Sequence, residues 1–240
     1  MTQPTLLIVG DSWGCGEWAL AGHNQLILNH PGMEEYLGKH FKIVNLSRGY
    51  ASNWQTCYAL WNYLDKRVDD SELKILVLQS DAFRPAMHER YNIDLDGIYS
   101  QAMNLFHFYE QLIEIFYIKL NGIAQQFNIN IYLSGGLTDL HTEILPNFDK
   151  LIPICASWIN LLDQRHIPSI IPVMMNAKFF VTAKQHNRHD LCEQISDHSE
   201  QHFLELQEML ETNLFGPAHG DFHPSRLGHE VFANHILNRV

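Results

Sequence analysis

Two short segments, one near each end of the chain, carry residue types that could perform acyl-transfer chemistry together. The first is Gly10-Asp11-Ser12-Trp13-Gly14, directly after a short apolar run. A serine that follows a buried strand and opens toward a helix holds its hydroxyl exposed, and the N–H groups of that helix can stabilise a developing oxyanion. The same letters also describe an ordinary strand-to-helix turn in which Ser12 or Asp11 caps the helix. The second segment is Gly220-Asp221-Phe222-His223-Pro224-Ser225, an acid two residues before a histidine, leading into a final helix that Ser225 can cap. A serine nucleophile needs an imidazole to take its proton, and the imidazole needs a carboxylate to fix its tautomer and steady its charge. One loop offers both in His223 and Asp221. A capped turn with a surface histidine would read the same way in a chain with 15 histidines. If the segments act as a unit, Ser12 Oγ should lie roughly 2.6–3.5 Å from a His223 ring nitrogen, with longer separations where no ligand tightens the site.

Strands alternating with helices must bring these segments together. Continuous apolar runs at residues 5–9, 42–46, 73–78 and 129–133 read as strands buried on both faces. A weaker fifth run spans 167–173, where Pro168 and Pro172 confine a strand to an edge or to few residues. Residues 54–68, 100–127, 198–210 and 227–237 carry apolar side chains at mixed three and four spacings and read as helices. No repeat, low-complexity stretch or Gly/Ser linker interrupts them. The economical architecture is one α/β domain over 1–240: a doubly wound parallel sheet of about five strands in the order 2-1-3-4-5, helices on both faces. In such sheets function gathers at the carboxyl ends of the strands, where Ser12 is delivered.

Composition narrows the classes. Hydrophobic residues make up 46% and charged residues 18%, which suits a sizeable core. A net charge of −11 argues against nucleic acid or an anionic membrane as main partner. The start, MTQPTLLIVGD, has no basic region, long apolar core or cleavage site, and no run approaches the ~20 apolar residues of a spanning helix, so a cytoplasmic location is expected. Cys15, Cys57, Cys155 and Cys192 lack CxxC spacing and read as reduced thiols.

GDSW near the start and DFHPSRLGHEVFA near the end resemble the first and last blocks of the SGNH, or GDSL-like, hydrolase superfamily. The resemblance implies a flavodoxin-like three-layer fold, no metal or organic cofactor, and nucleophilic chemistry at Ser12. It also implies His223 as base and Asp221 as acid, with one residue between them where the family usually has two. Asn45-Leu46-Ser47-Arg48-Gly49-Tyr50-Ala51-Ser52-Asn53 is similar to the second block, which places an oxyanion-donating glycine at Gly49 beside the N–H of Ser12. Where the family usually has GxND, the third strand ends Leu78-Gln79-Ser80-Asp81. Ser80 thus occupies the asparagine position of the oxyanion hole, with Gln79 as a substitute. Trp13 replaces the leucine of GDSL and is expected to shape the pocket wall.

The expected activity is that of a serine esterase or O-deacylase acting on a small-molecule or carbohydrate ester. An acyltransferase using the same serine, or a binding module that keeps the fold without the chemistry, are the alternatives. Trp13, Tyr50, Trp54, Phe83 and Phe222 could form an aromatic rim for sugars or acyl groups. Arg84 could bind an anionic or carbohydrate group, though an exposed ion pair explains it better. Asp139 and His141 fall near the same sheet edge and offer an alternative acid and base. His186, His189, His198 and His202 could chelate a metal but are better explained as solvated helix-face residues. The apolar stretch from Leu105 to Leu120 is either a helix buried in the layer or a homo-oligomer contact.

Overall fold

The computed structural model describes residues 3–21, 25–68, 72–80, 95–136, 139–162, 214 and 223–240. The strands, in chain order, are β1 (Thr5–Val9), β2 (Glu17–Ala21), β3 (Gln25–His30), β4 (Lys42–Asn45), β5 (Leu73–Gln79), β6 (Ile131–Gly135) and β7 (Leu151–Cys155). The helices are α1 (Ser12–Cys15), α2 (Met33–Leu37), α3 (Asn53–Lys66), α4 (Leu95–Gln126), α5 (Trp158–Leu162) and α6 (Arg226–Leu237).

Five of these strands form a sheet in the order β4-β1-β5-β6-β7, with every neighbouring pair parallel. Counting only the strands of this sheet, the order is 2-1-3-4-5, as the sequence implies. β1 lies inside the sheet, with Thr5 opposite Lys42 on one side and opposite Leu73 on the other. Alternation along each strand divides the core in two. Leu6, Ile8, Leu76 and Leu78 face α2, α5 and α6 through Met33, Leu37, Trp158, Phe232 and Ile236. Leu7, Val9, Ile75 and Val77 face α3 and α4 through Leu60, Leu64, Phe116, Tyr117 and Leu120. Burial on both faces explains why the strands read as unbroken apolar runs rather than alternating ones.

Two parts of the architecture differ from the sequence expectation. The fifth place in the sheet is taken by β7, at Leu151–Cys155. Its short run LIPIC carries Pro153, exposed on a strand that has one partner among the described residues, where a missing N–H is tolerated. The run at 167–173, expected in that place, lies outside the described residues. The second difference is the separate antiparallel pair β2–β3, inserted between α1 and α2 and absent from the sequence reading.

The long helix α4 contains the stretch from Leu105 to Leu120. Its described part buries one face, with Ile113, Phe116, Tyr117 and Leu120 at 2% exposure or less, while Ile115 and Ile118 stay exposed. Among the described residues no helix is long and apolar enough to cross a membrane.

Candidate active site

The parallel sheet sends the ends of β1, β4 and β5 to one edge, and the candidate residues gather there. β1 ends at Val9, and Gly10 and Asp11 lead into α1, with Ser12 as its first residue. Asp11 is the cap. One carboxylate oxygen accepts from the Trp13 N–H at 2.9 Å, and the other accepts from the Ser80 hydroxyl at 3.0 Å, both in buried surroundings. This cap fixes the turn that presents Ser12, so Asp11 is the capping residue and Ser12 is released from that duty. Ser12 itself is 5% exposed. Among the described residues its hydroxyl has no hydrogen-bond partner.

The segment after β4 is stitched to the same edge. Leu46 N donates to Ile8 O at 2.8 Å and Arg48 N to Gly10 O at 3.1 Å. Asn45 Nδ2 donates to Gly14 O at 2.8 Å, while Asn45 Oδ1 accepts from Ser47 N at 2.9 Å. The fit is close: a Cβ on Gly14 would stand 2.2 Å from Ser47 Oγ, so no larger residue fits there without displacing the segment. Arg48 to Ala51 make a turn closed by Ala51 N donating to Arg48 O at 3.1 Å, with Tyr50 at φ +62°. A left-handed aromatic residue costs about 1–3 kcal/mol and is held by its surroundings. Gly49, inside this turn, is exposed, and among the described residues its N–H has no partner.

β5 brings Ser80, which is 1% exposed. Asn53, at the start of α3, grips its backbone from both sides: Ser80 N donates to Asn53 Oδ1 at 2.8 Å, and Asn53 Nδ2 donates to Ser80 O at 2.9 Å. With its hydroxyl proton already given to Asp11, Ser80 ties β5 to the cap of α1. A role as oxyanion donor would require that bond to open. Gln79, the expected substitute, is also engaged. Its Oε1 accepts from Tyr117 Oη at 2.8 Å and its Nε2 donates to Asp139 O at 3.0 Å. The sequence could not show this, because nothing in one strand announces which buried partners lie on its neighbours.

His223 arrives from the far end of the chain, two residues before the Ser225 cap of α6, whose hydroxyl accepts from Gly228 N at 3.2 Å. Its ring packs beside two indoles, with centroids 6.4 Å from Trp13 and 5.9 Å from Trp18. Trp18 in turn donates its Nε1 hydrogen to the Ser12 carbonyl at 2.9 Å. The candidate base and nucleophile therefore lie against the same tryptophan. The expected Ser12–His223 hydrogen bond is not formed: among the described residues the Ser12 hydroxyl has no hydrogen-bond partner. Asp221 lies outside the described residues, as do Phe83, Arg84, Phe222, His186, His189, His198 and His202.

Trp13 is a correction. It is 1% exposed and stands edge-on to Trp158 at 5.5 Å, inside the core under α6, so it is no part of an exposed rim. Asp139 and His141 are held in a separate network. Asp139 Oδ1 accepts from Asn160 Nδ2 at 2.7 Å, and His141 N donates to Tyr117 Oη at 3.0 Å.

Two thiols, Cys57 buried and Cys155 half-buried, do not compete as nucleophiles. Burial pushes Cys57 up to about 12 and Cys155 up to about 11, so both are protonated at neutral pH. Behind His223 sits His229, fully buried, with burial driving its pKa down to about 3 against a smaller opposing contribution from the Gly16 backbone. It is a neutral ring packed edge-on to Trp158 at 5.0 Å. Gly32, at φ +62°, admits it: a Cβ there would stand 2.7 Å from His229 Nδ1.

Beside the edge opens a cleft of about 1160 Å³, walled by Gly10, Arg48, Gly49, Asn53, α3 and α4. Ser12 is not among the described residues that line it, while Gly10, two positions before Ser12, is. Tyr50, Trp54 and Tyr58 line it and are 58–69% exposed, with Lys119 Nζ 3.6 Å over the Trp54 ring.

No protein family model matches the chain, and no curated protein matches it. Solved structures similar to it come from the family that its motifs resemble. One is a member of the lipolytic G-D-S-L family from Veillonella parvula, at 12% identity over 98% of this chain and 97% of that one, with a TM-score of 0.42. Another is AlinE4, an SGNH-hydrolase family esterase, at 15% identity over 69% of this chain and 82% of that one, with a TM-score of 0.40. Neither likeness assigns a residue or an activity to this chain.

Proposed function

We propose that the chain is a serine hydrolase that cleaves an ester through an acyl-enzyme on Ser12. The observation that carries this reading is the convergence on Trp18: the first residue of α1 and a histidine from the far end of the chain lie against one indole at the carboxyl edge of the sheet. In the proposed reaction His223 takes the Ser12 proton as Oγ attacks the ester carbonyl. It then returns that proton to the leaving alcohol, and water repeats the cycle to free the acid. Asp221 orients His223. The N–H groups of Ser12 and Gly49 receive the oxyanion, and a Gly49 N–H that has no partner among the described residues suits that part. The substrate's remainder lies in the cleft along Tyr50 and Trp54, which fits a small acyl group or a sugar ester.

The test is labelling with an alkyl fluorophosphonate, followed by mapping of the modified residue, alongside turnover of p-nitrophenyl acetate. Label on Ser12, lost in His223→Ala, is expected. Label elsewhere, or none on folded protein, would remove the serine mechanism. A second reading, a binding module that keeps the fold, is favoured by one observation: the Ser12 hydroxyl makes no hydrogen bond to His223. Absence of both label and turnover is its signature. Transfer of the acyl group to an added alcohol faster than to water would instead mark an acyltransferase.

A further inference from the structure

We propose that Trp18 is a positioning residue that sets Ser12, His223 and Gly49 relative to one another; this rests on the Ser12–His223 mechanism above. Three contacts of one side chain carry the inference. The indole N–H donates to the Ser12 carbonyl at 2.9 Å. The ring lies 5.9 Å from the His223 ring, tilted by 52°. Its far edge reaches the oxyanion candidate, where a Cβ on Gly49 would stand 3.5 Å from Trp18 Cη2.

The hairpin that carries Trp18 is built for this placement. Register shifts between Glu17, opposite His30, and Trp18, opposite Leu28. Such an irregularity bends the strand and re-aims the side chains on either side of it. Glu17, 9% exposed, turns its carboxylate to the last helix and accepts from Arg226 N at 3.0 Å, three residues after His223. Asn29 Nδ2 donates to the same carboxylate at 3.3 Å. Glu17 thus holds the backbone that carries His223, while Trp18 meets the His223 ring and the Ser12 peptide.

An ordinary hairpin tryptophan would cover apolar surface, with its N–H toward water or a neighbouring strand. Trp18 gives its N–H to the peptide that follows the proposed nucleophile. Fixing that carbonyl fixes ψ of Ser12 and so the direction of its Cα–Cβ bond, on which the hydroxyl is carried, relative to the peptide that follows. The indole also packs beside the imidazole, with 5.9 Å between ring centroids, and so bounds one side of it. The hairpin therefore acts as a bracket across the first and last motifs, and the bracket acts on orientation rather than on substrate contact.

The test uses the full chain and the rate of fluorophosphonate labelling at Ser12, with p-nitrophenyl acetate kinetics in parallel. Trp18→Phe keeps most of the ring and removes the N–H donor. It should label about fivefold more slowly, the rate equivalent of one ordinary hydrogen bond. Trp18→Ala removes both and should fall by roughly 10²-fold, as expected when reacting groups lose alignment. The losses should appear in kcat with KM unchanged, and Trp18→Phe should lower the melting temperature by no more than about 2–4 °C, the worth of one hydrogen bond in a domain of this size. Leu28→Ala, opposite Trp18 on the hairpin and half exposed, should label at the parent rate. If Trp18→Phe labels as fast as the parent, or Leu28→Ala slows equally, Trp18 is packing and the proposal fails while the Ser12 mechanism stands. Should the parent itself carry no label on Ser12, the mechanism falls and takes this role with it. Trp18→Phe alone decides the matter if Trp18→Ala does not fold.

Discussion

Lowering the pH from 7 to 5 should weaken the fold through His229, a residue outside the proposed chemistry. Its ring is fully buried, and burial holds its pKa at about 3 in place of 6.5. The unfolded chain therefore binds a proton on this histidine below pH 6.5 that the folded chain refuses until about pH 3. Stability is present in full above pH 6.5 and is lost as pH falls through that window, because the unfolded state binds more protons. Each unit within the window is worth about 1.4 kcal/mol, so pH 5 should cost about 2 kcal/mol from this one group. With m of about 2–3 kcal/mol/M for urea, the midpoint should drop by roughly 0.7–1 M. The assay is urea unfolding at both pH values, of the parent and of His229→Leu. Leucine is close in volume and carries no proton, so the acid loss in the variant should be smaller by about 2 kcal/mol. His235, also lowered chiefly by burial, contributes in the same direction to both proteins and cancels in the difference. Equal acid losses in the two proteins would refute the assignment. The result also guards the enzymology, because part of any acid loss of activity would come from unfolding of the core behind the site.

Ser12→Ala and His223→Ala should each abolish turnover of p-nitrophenyl acetate nearly completely, and the double variant should be no worse than either, since the two act as one unit. Asp221→Asn should lower kcat by about 10²–10⁴ while circular dichroism stays unchanged; near-normal turnover would leave a Ser-His dyad or pass the acid's role to another carboxylate. Ser80→Ala removes a buried hydrogen bond to a carboxylate and should cost about 1.5–3 kcal/mol in urea unfolding; an unchanged midpoint would show that Asp11 holds the turn without it. Trp54→Ala, on the cleft wall, should raise KM severalfold for esters with a bulky acyl or sugar group and leave acetate esters alone.

What could be read from sequence follows from which physics is local. Apolar runs report burial on both faces, so β1, β4, β5 and β6 were legible to within two residues at their ends, and their order followed from the rules for parallel sheets. β7 was not, because its run LIPIC is only five residues long and is interrupted by Pro153, while the longer run at 167–173 competed for the same place in the sheet. The hairpin was missed for a different reason. Its strands, EWALA and QLILNH, are separated by a short Gly-containing stretch and carry too few residues for a clear period. The signal that could have found them was their spacing around Gly22, read as a hairpin with a three-residue connection.

At the site, local chemistry was legible and partnership was not. A cap at Asp11, a serine at N1 and a cap at Ser225 are decided within a few residues, and sequence rules reach them. The fate of the Ser80 hydroxyl, the burial of Trp13 and the grip of Asn53 on β5 depend on groups brought together by the sheet, at separations no local rule samples. Trp18 is the clearest instance. A tryptophan five residues past the G-D-S-W motif has no sequence signature, yet the hairpin it sits on contacts both motifs. The same insertion that hid from pattern reading supplies Glu17 to the backbone beside His223 and an indole N–H to Ser12. An irregular element between α1 and α2 would be a needless interruption in a regular doubly wound chain if it served only packing. Its contacts give it a reason to be there: the two motifs come from opposite ends of the sequence, and the sheet alone brings their backbones near without fixing the angle at which Ser12 and His223 face.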